Sequence, residues 1–199
     1  MPTTHSNRPF APRYLSFLAL VLLCLFTFDA PADSGDAIGL VVRIQDEAVF
    51  VDVSFHVPAT PQEVWAVMTD YDHATEFISK LEKSVIVSRT EDTLRVSQKG
   101  TMGFGPFSLN IETVTEVRLT PYEKMHGRML SGNMKKNESS TRFVADASGT
   151  RVEYHLESIP QVWIPPIIGR AMVEFETRAR FRQLRDEILR RKALTAANR

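Results

Sequence analysis

A strand that ends at a proline and passes almost at once into a helix is the segment that most constrains the fold. Apolar and polar residues alternate from Val49 to Val57, and Pro58 ends the alternation. Pro61 suits the first position of a helix because it has no backbone N–H to leave unpaired. Thr60 can accept the hydrogen bond of an N-cap, and Glu63 stands where a capping box requires an acidic side chain. The segment therefore predicts a half-buried strand followed closely by a capped helix.

Residues 1–32 are typical of a secretory signal peptide. Arg8 and Arg13 form a positive region, an uncharged apolar run extends from Leu15 to Phe28, and Ala30-Pro31-Ala32 supplies small residues for cleavage. The apolar run is shorter than the ~20 residues that a transmembrane helix needs. We therefore expect cleavage near Ala32 and a secreted or periplasmic protein, with an uncleaved membrane anchor as the alternative.

Charge and cysteine content narrow the range of partners. The chain has 24 basic and 24 acidic side chains, so its formal net charge is zero. This balance argues against nucleic acid as a partner, because phosphate binding needs an excess of basic residues. The single cysteine, Cys24, lies in the apolar run and would be removed with it. The mature chain would then have no disulfide, and its own core would have to stabilise it.

Apolar residues recur with a period of two along most of the remaining chain. Ile38 to Arg43 and Val49 to Val57 together predict a hairpin. Asp70 to Ser79 is predicted to form a second short helix, with Asp70 and Asp72 as its caps. Further strands, spaced as antiparallel neighbours, are predicted at Ser84 to Arg89, Thr93 to Thr101, Phe107 to Leu119, Met125 to Leu130, Glu138 to Asp146 and Arg151 to Ser158.

A long helix is predicted near the end of the chain, opened by Pro165-Pro166 and running to about Lys192. One apolar stripe comprises Ile168, Ala171, Met172, Phe175 and Ala179, and a second, on the opposite side, comprises Val173, Phe181, Leu184 and Ile188. We expect the first half of this helix to face one surface and the second half to pack elsewhere. Residues 193–199 are expected to form a flexible tail.

Several short motifs accompany this order of elements. They are Pro61 to Trp65, Asp70-Tyr71, Gly105-Pro106-Phe107, Ser131-Gly132 and Gly149-Thr150. Together with the order of elements, they make the chain resemble the START-like superfamily, also called SRPBCC. The resemblance is closest to the polyketide cyclase/dehydrase and lipid-transport branch and, within it, to the coenzyme-Q-binding type.

The resemblance implies an α+β helix-grip fold, in which a curved antiparallel sheet of about seven strands surrounds a long C-terminal helix. Residues 48–192 would form the START-like ligand-binding domain. Residues 33–47 would form a linker and an extra strand before it.

A sheet and one helix should leave space between them. A helix of ~28 residues is ~42 Å long but only ~10 Å wide, so it cannot cover a strongly twisted sheet completely. The space would suit the ~300–1,000 Å³ that is common for small-molecule sites, although the same residues could instead form a solid core. The expected lining is Val53, Phe55, Phe107, Leu109, Ile111, Met125, Met129, Phe143, Tyr154, Leu156, Ile168, Met172 and Phe175.

The mouth of this cavity is expected at residues 103–107 and 161–169. Phe104, Trp163 and Ile164 would lie at the opening. Such an apolar loop could touch membrane lipid and admit a hydrophobic ligand. The alternative is a hydrophobic staple that seats the long helix.

We expect the protein to hold a hydrophobic small molecule, such as a lipid, a quinone or a polyketide-like compound. Tyr154 shares the inward face and could orient a carbonyl or quinone oxygen. A cyclase- or dehydratase-like enzyme is the first alternative, with Tyr154 as its best acid–base candidate. A protein- or membrane-interaction module is the second, through the second apolar side of the long helix or its arginines.

No motif points to a catalytic residue, a cofactor or a metal. The sequence contains no HExxH, no GxSxG and no phosphate-binding glycine loop. His56, Glu112, His126 and His155 alternate with apolar neighbours, so we expect them on the outer, wetter face of the sheet. We therefore expect no cofactor, no metal and no catalytic residue.

Overall fold

The computed structural model describes residues 38–104, 107–162 and 165–198. The strands are β1 (Gly39–Gln45), β2 (Ala48–Val57), β3 (Leu81–Arg89), β4 (Thr93–Phe104), β5 (Phe107–Thr120), β6 (Lys124–Gly132), β7 (Met134–Asp146) and β8 (Gly149–Pro160). The helices are α1 (Pro61–Met68) and α2 (Pro166–Ala197), and a short 3-10 turn spans Ala74–Glu76.

Among the described residues, one sheet of 8 strands has the order β1-β2-β8-β7-β6-β5-β4-β3. Strands β3 to β8 follow one another as an antiparallel meander, and β2 pairs with β8. The edges are therefore β1 and β3, far apart in the strand order. The predicted α+β helix-grip fold is confirmed, with β1 as the extra strand.

The predicted helix after the first long strand forms as α1, and its N-terminus has the predicted capping box. Thr60 Oγ1 accepts the backbone N–H of Glu63 at 3.3 Å, and Glu63 Oε2 accepts the backbone N–H of Thr60 at 2.8 Å. Val64 and Val67 are buried. The two bonds satisfy N–H groups that a helix end leaves unpaired, so nearby residues alone fix the start of α1.

The connection between β2 and α1 is packed closely against the start of β8. Gly149 has a φ of 152°, and a Cβ at this position would lie 2.2 Å from the carbonyl oxygen of Val57. The hydroxyl of the buried Thr150 donates to the carbonyl of Ala59 at 2.7 Å. Glycine is required here because it tolerates positive φ and has no side chain to clash. The chain therefore enters α1 from a fixed position beside the sheet.

The second short helix predicted between Asp70 and Ser79 is reduced to the 3-10 turn, and the predicted caps do not form. Asp70 lies 2.6 Å from His73 Nδ1 and 2.8 Å from Arg191. Asp72 accepts the backbone N–H of Ile86 at 2.7 Å. Both carboxylates bond to groups on other elements, which leaves the start of the turn without a side-chain cap.

Helix α2 lies across one face of the sheet and presents one apolar side to it along its length. Phe181 and Ile188 are buried, and Val173 packs against the same core. Met172 is also buried, whereas Phe175 is 54% exposed. The predicted division into two halves that face different surfaces is therefore wrong. The helix also continues to Ala197, so residues 193–197 are helical where a tail was expected.

Hydrogen bonds on both flanks hold α2 in this rotation. On the β1–β2 side, Arg178 donates to the carbonyl of Ile38 at 3.0 Å, and Arg185 donates to the carbonyl of His56 at 3.3 Å. On the other side, Glu176 accepts the backbone N–H of Gly103 at 3.0 Å, and Gln183 accepts that of Ser79 at 3.0 Å. Within residues 38–104, 107–162 and 165–198, no helix combines the length and hydrophobicity that crossing a membrane requires.

Candidate functional site

A cavity of about 590 Å³ lies between the sheet, α1 and α2. Residues of β4 to β8 form most of its wall, and residues of β2, α1 and α2 complete it. The volume falls within the ~300–1,000 Å³ of typical small-molecule sites. This part of the interior is therefore a hollow and not a solid core.

The cavity wall combines an apolar surface with a band of polar side chains. The apolar part includes Val49, Val96, Leu109, Ile111, Met125 and Leu156. The polar part includes six side chains that are called the polar band below: Gln98, Thr113, Thr115, Ser139, Thr141 and Ser158. A ligand that fills the cavity would therefore need an apolar body and at least one polar group, because polar groups left unpaired on burial are costly.

Strand register places members of the polar band next to one another. Gln98 pairs with Thr113 between β4 and β5, and Thr141 pairs with Tyr154 between β7 and β8. The polar band was not predicted. Its β5 members occupy the same alternating positions as the predicted Ile111, so the period-two pattern contained the signal that could have found them.

Two tyrosines line the cavity. The ring of Tyr154 packs against Phe181 with the centroids 5.0 Å apart, and its hydroxyl bonds to Ser139. Burial raises the pKa of Tyr154, although the Arg180 guanidinium and the Ser139 bond oppose the rise. Burial also raises the pKa of Tyr71, and the neighbouring Tyr154 adds to it. Both phenols therefore stay protonated at neutral pH and can donate to a ligand oxygen.

The charged side chains on the described wall are Asp70, Lys99 and Arg180. Burial raises the pKa of Asp70, but hydrogen bonds from His73 and Arg191 outweigh that effect, and the pKa lies below its ordinary value. At neutral pH, Asp70 is therefore ionised and committed to its two partners. It is not free to act as a base.

Part of the predicted lining lies on the cavity wall: Leu109, Ile111, Met125, Tyr154, Leu156 and Met172. Val53, Phe55 and Phe143 lie instead in the packed core. The ring of Phe55 is 5.8 Å from that of Phe181, and the ring of Phe143 is 5.6 Å from that of Trp65. Side chains of α1 and α2 fill this part of the interior, so these three residues have protein neighbours where cavity was expected.

Other predicted residues lie elsewhere. Met129 and Ile168 are half-buried and do not line the cavity, and Phe175 is exposed because the bonded flanks of α2 turn it away from the sheet. The side chains of Phe104 and Phe107, and all of Trp163 and Ile164, fall outside the described residues. Near the expected mouth, the wall includes Met102, Pro160, Gln161 and Val162.

His56, Glu112, His126 and His155 do not line the cavity. The histidines contact polar neighbours: His155 and Asp52 (2.7 Å), His126 and Glu138 (3.0 Å), and His56 and Ser148 (3.1 Å). In the part of the chain that the structure describes, no group of three or more His, Cys, Asp or Glu side chains is placed to hold a metal ion.

Comparison with family models gives one match. The model described as "Polyketide cyclase / dehydrase and lipid transport" matches residues 57–186. This range begins at the end of β2 and ends within α2, so it contains nearly all the elements that enclose the cavity. A search of curated proteins finds no match.

Solved structures share the fold at low sequence identity. The Zhui aromatase/cyclase from Streptomyces sp. R1128 is 16% identical, covers 72% of this chain and 95% of its own, and has a TM-score of 0.62. The STAR-related lipid transfer protein from Xanthomonas axonopodis is 12% identical, with coverage of 76% and 98% and a TM-score of 0.59. A START superfamily protein from Mycobacterium smegmatis is 14% identical, with coverage of 71% and 97% and a TM-score of 0.57.

Proposed function

Because the chain belongs to the polyketide cyclase/dehydrase and lipid transport family, we propose that it binds a hydrophobic small molecule in the cavity between the sheet and α2. The observation that carries the proposal is the hollow of about 590 Å³ with its apolar walls and polar band. Affinity would come from burial of apolar surface, at about 25 cal/mol per Å². The cost of association and of ordering the ligand reduces this gain, so shape and polar contacts decide the affinity.

The two tyrosines on the wall, together with the polar band, narrow the class of ligand. A pure hydrocarbon would leave Tyr71 and Tyr154 without an acceptor on the ligand, whereas a ligand with a carbonyl, a quinone oxygen or an acidic group could use them. We therefore favour lipids, quinones and polyketide-like compounds. The most specific version of this proposal is a coenzyme-Q-type ligand. The two phenolic donors support it because they could bond to the quinone oxygens.

Transport outside the cytoplasm is part of the proposal. Its support is the signal-peptide pattern of residues 1–32, which lie outside the described residues. Peripheral membrane contact is supported by exposed apolar side chains beside the cavity. Val162 lines the cavity and is 54% exposed, and Ile167, in the first turn of α2, is 87% exposed. A hydrophobic ligand could pass from lipid to cavity at such a surface.

An enzyme of the cyclase or dehydratase type is the second candidate. The observation that favours it is the pair Tyr71 and Tyr154, two protonated phenols on the wall of one cavity. Such groups could hold a ligand carbonyl and donate a proton to it. Turnover of a polyketide-like substrate, abolished in the double variant Tyr71→Phe/Tyr154→Phe, would favour the enzyme over the carrier.

Native mass spectrometry combined with a binding assay tests the main proposal. The purified protein, incubated with a lipid extract, should carry a bound molecule, and it should bind the neutral fluorophore N-phenyl-1-naphthylamine. Thr177→Trp places a large side chain on the cavity wall and should weaken binding of the fluorophore at least tenfold. Asp186→Trp, on the exposed side of the same helix, is the matched control and should bind normally. An empty protein that also ignores the fluorophore would refute the proposal.

A further inference from the structure

Arg180 is an exposed cation on the cavity wall. It extends from α2 beside Thr177 and Phe181, which also line the cavity. Other arginines of α2 have partners: Arg170 with Glu174, Arg178 with the carbonyl of Ile38, Arg190 with Glu187, and Arg191 with Asp70 and Glu187. Within the described residues, Arg180 makes no hydrogen bond and no ion pair. Its charge is therefore available to a ligand.

The surroundings of Arg180 supply donors and no free carboxylate. Arg180 and Tyr154 both line the cavity, and the guanidinium lowers the pKa of Tyr154. The phenolic O–H of Tyr154 can donate to a ligand oxygen in the cavity. Asp70, the acidic side chain on the described wall, is already bonded to His73 and Arg191.

Arg180 lies far from the start of α2. At about 1.5 Å per residue, it is about 21 Å along the helix from Pro166. Leu184, one turn further, is the last residue of α2 on the wall. Between Arg180 and Val162 the wall includes apolar side chains such as Met172 and Val173. The side chain of Arg180 is exposed to solvent where it meets the wall. An apolar chain therefore has room along the wall between Arg180 and Val162.

We propose that the protein binds amphiphiles with one acidic head group, a carboxylate or a phosphate, on an apolar chain, and that the head group lies on Arg180 with the chain directed along the wall toward Val162. The inference rests on the proposed function and names its ligand class. A guanidinium forms two parallel bonds to a carboxylate or phosphate, and Tyr154 and Tyr71 can add neutral bonds to the same oxygens. A ligand of equal length without the acid would leave these donors unused.

Displacement of N-phenyl-1-naphthylamine by dodecanoate, dodecyl phosphate and dodecanol tests this inference with the full chain. Wild-type protein should bind at least one of the two anionic probes about tenfold more tightly than dodecanol. The stronger anion distinguishes a carboxylate head group from a phosphate. Arg180→Gln should remove the preference and leave dodecanol binding unchanged, and Arg180→Lys should restore it only in part.

Arg182→Gln is the matched control, because Arg182 is an exposed arginine of the same helix that does not line the cavity. It should keep the full preference. Circular dichroism melting of each variant excludes loss of fold as the cause. Equal affinity for dodecanol and both anions in the wild type, or an unchanged preference in Arg180→Gln, would overturn the inference while fluorophore binding still upholds the cavity. Absence of binding of the fluorophore and all three probes would overturn both proposals.

Discussion

The carboxylate of Asp70 lies 2.8 Å from the guanidinium of Arg191, and this pair ties the last turns of α2 to the loop after α1. Both side chains are largely protected from solvent, and Arg191 also packs over the ring of Phe77 at 5.4 Å. The pair therefore fixes the position of the loop after α1 against the last turns of the helix.

Asp70→Asn should lower the free energy of unfolding by about 1–2 kcal/mol at neutral pH, because it removes the negative charge of a half-buried ion pair. The folded pKa of Asp70 lies below its unfolded value. Its stabilisation is therefore present above about pH 4 and is lost as the pH falls through the folded pKa. Urea unfolding at several pH values measures this, with Asp186→Asn as the control. If the free energy of unfolding falls equally with decreasing pH in Asp70→Asn and in wild type, the prediction is contradicted.

His73 should titrate above its ordinary pKa of about 6.5. The hydrogen bond to Asp70 is the main cause of the raised pKa, and the negative charge of Asp70 adds to it. The stabilisation from this charged pair is present below the unfolded pKa and is lost as the pH rises through the folded pKa. NMR titration of the imidazole should show the pKa returning toward its ordinary value in Asp70→Asn. A pKa that does not move in that variant would show that Asp70 is not the cause.

Gly149→Ala should destabilise the fold by at least about 2 kcal/mol. Its φ of 152° is strained for any side chain, and the new Cβ would lie 2.2 Å from the carbonyl oxygen of Val57. Gly39→Ala is the control, because its Cβ would meet Ser54 at 3.3 Å and its φ is not in the positive region. Thermal melting should rank Gly149→Ala well below Gly39→Ala, and equal melting temperatures would count against the packing described for β8.

Tyr71 and Tyr154 should both ionise above the ordinary tyrosine pKa of about 10. Burial disfavours both phenolates. Because the folded pKa values are raised, the neutral phenols stabilise the fold below pH 10, and this stabilisation is lost as the pH rises further. Ultraviolet titration should show a late component that Tyr71→Phe and Tyr154→Phe each reduce. If all tyrosines of the native protein ionise in a single transition near pH 10, Tyr71 and Tyr154 are not in a buried environment.

Ile167→Asp should reduce sedimentation with phospholipid vesicles several-fold, because Ile167 is 87% exposed in the first turn of α2, five residues after the cavity residue Val162. Val87→Asp changes a residue that is also exposed, at 56%, but lies on the edge strand β3 away from the cavity wall. This control should sediment like wild type. If both variants behave alike, the exposed apolar side chains near α2 have no special role at membranes.

Local interactions were the most predictable part of the fold. Thr60 and Glu63 cap α1 as expected, because a capping box needs only residues within one turn. The strands followed from the period-two pattern, and the inward positions of Ile111 and Leu156 followed from the same alternation. These inferences depend on neighbouring residues and hold before any tertiary contact forms.

The parts that failed depend on distant contacts. Either apolar stripe of α2 could have packed against the sheet. The rotation of the helix is set by hydrogen bonds such as that between Arg178 and Ile38, which are 140 residues apart in the sequence. Asp70 was expected to cap a helix but pairs with Arg191, which no local pattern reveals. The polar band was missed for another reason, since the expected lining was chosen mainly from apolar side chains, whereas Thr113 and Ser139 also line the cavity.

The sheet does not close on itself, since β1 and β3 have no ladder between them in the described structure. Its curvature is consequently not locked by a ring of strand pairing, as it is in a complete barrel. Helix α2 connects the two edges of the sheet. Arg178 bonds to the carbonyl of Ile38, just before β1, and Gln183 bonds to the N–H of Ser79, just before β3. A wider ligand would therefore require the two edges of the sheet to move apart. The hydrogen bonds on the two flanks of α2 would limit this movement and so the range of ligand sizes that the cavity can hold.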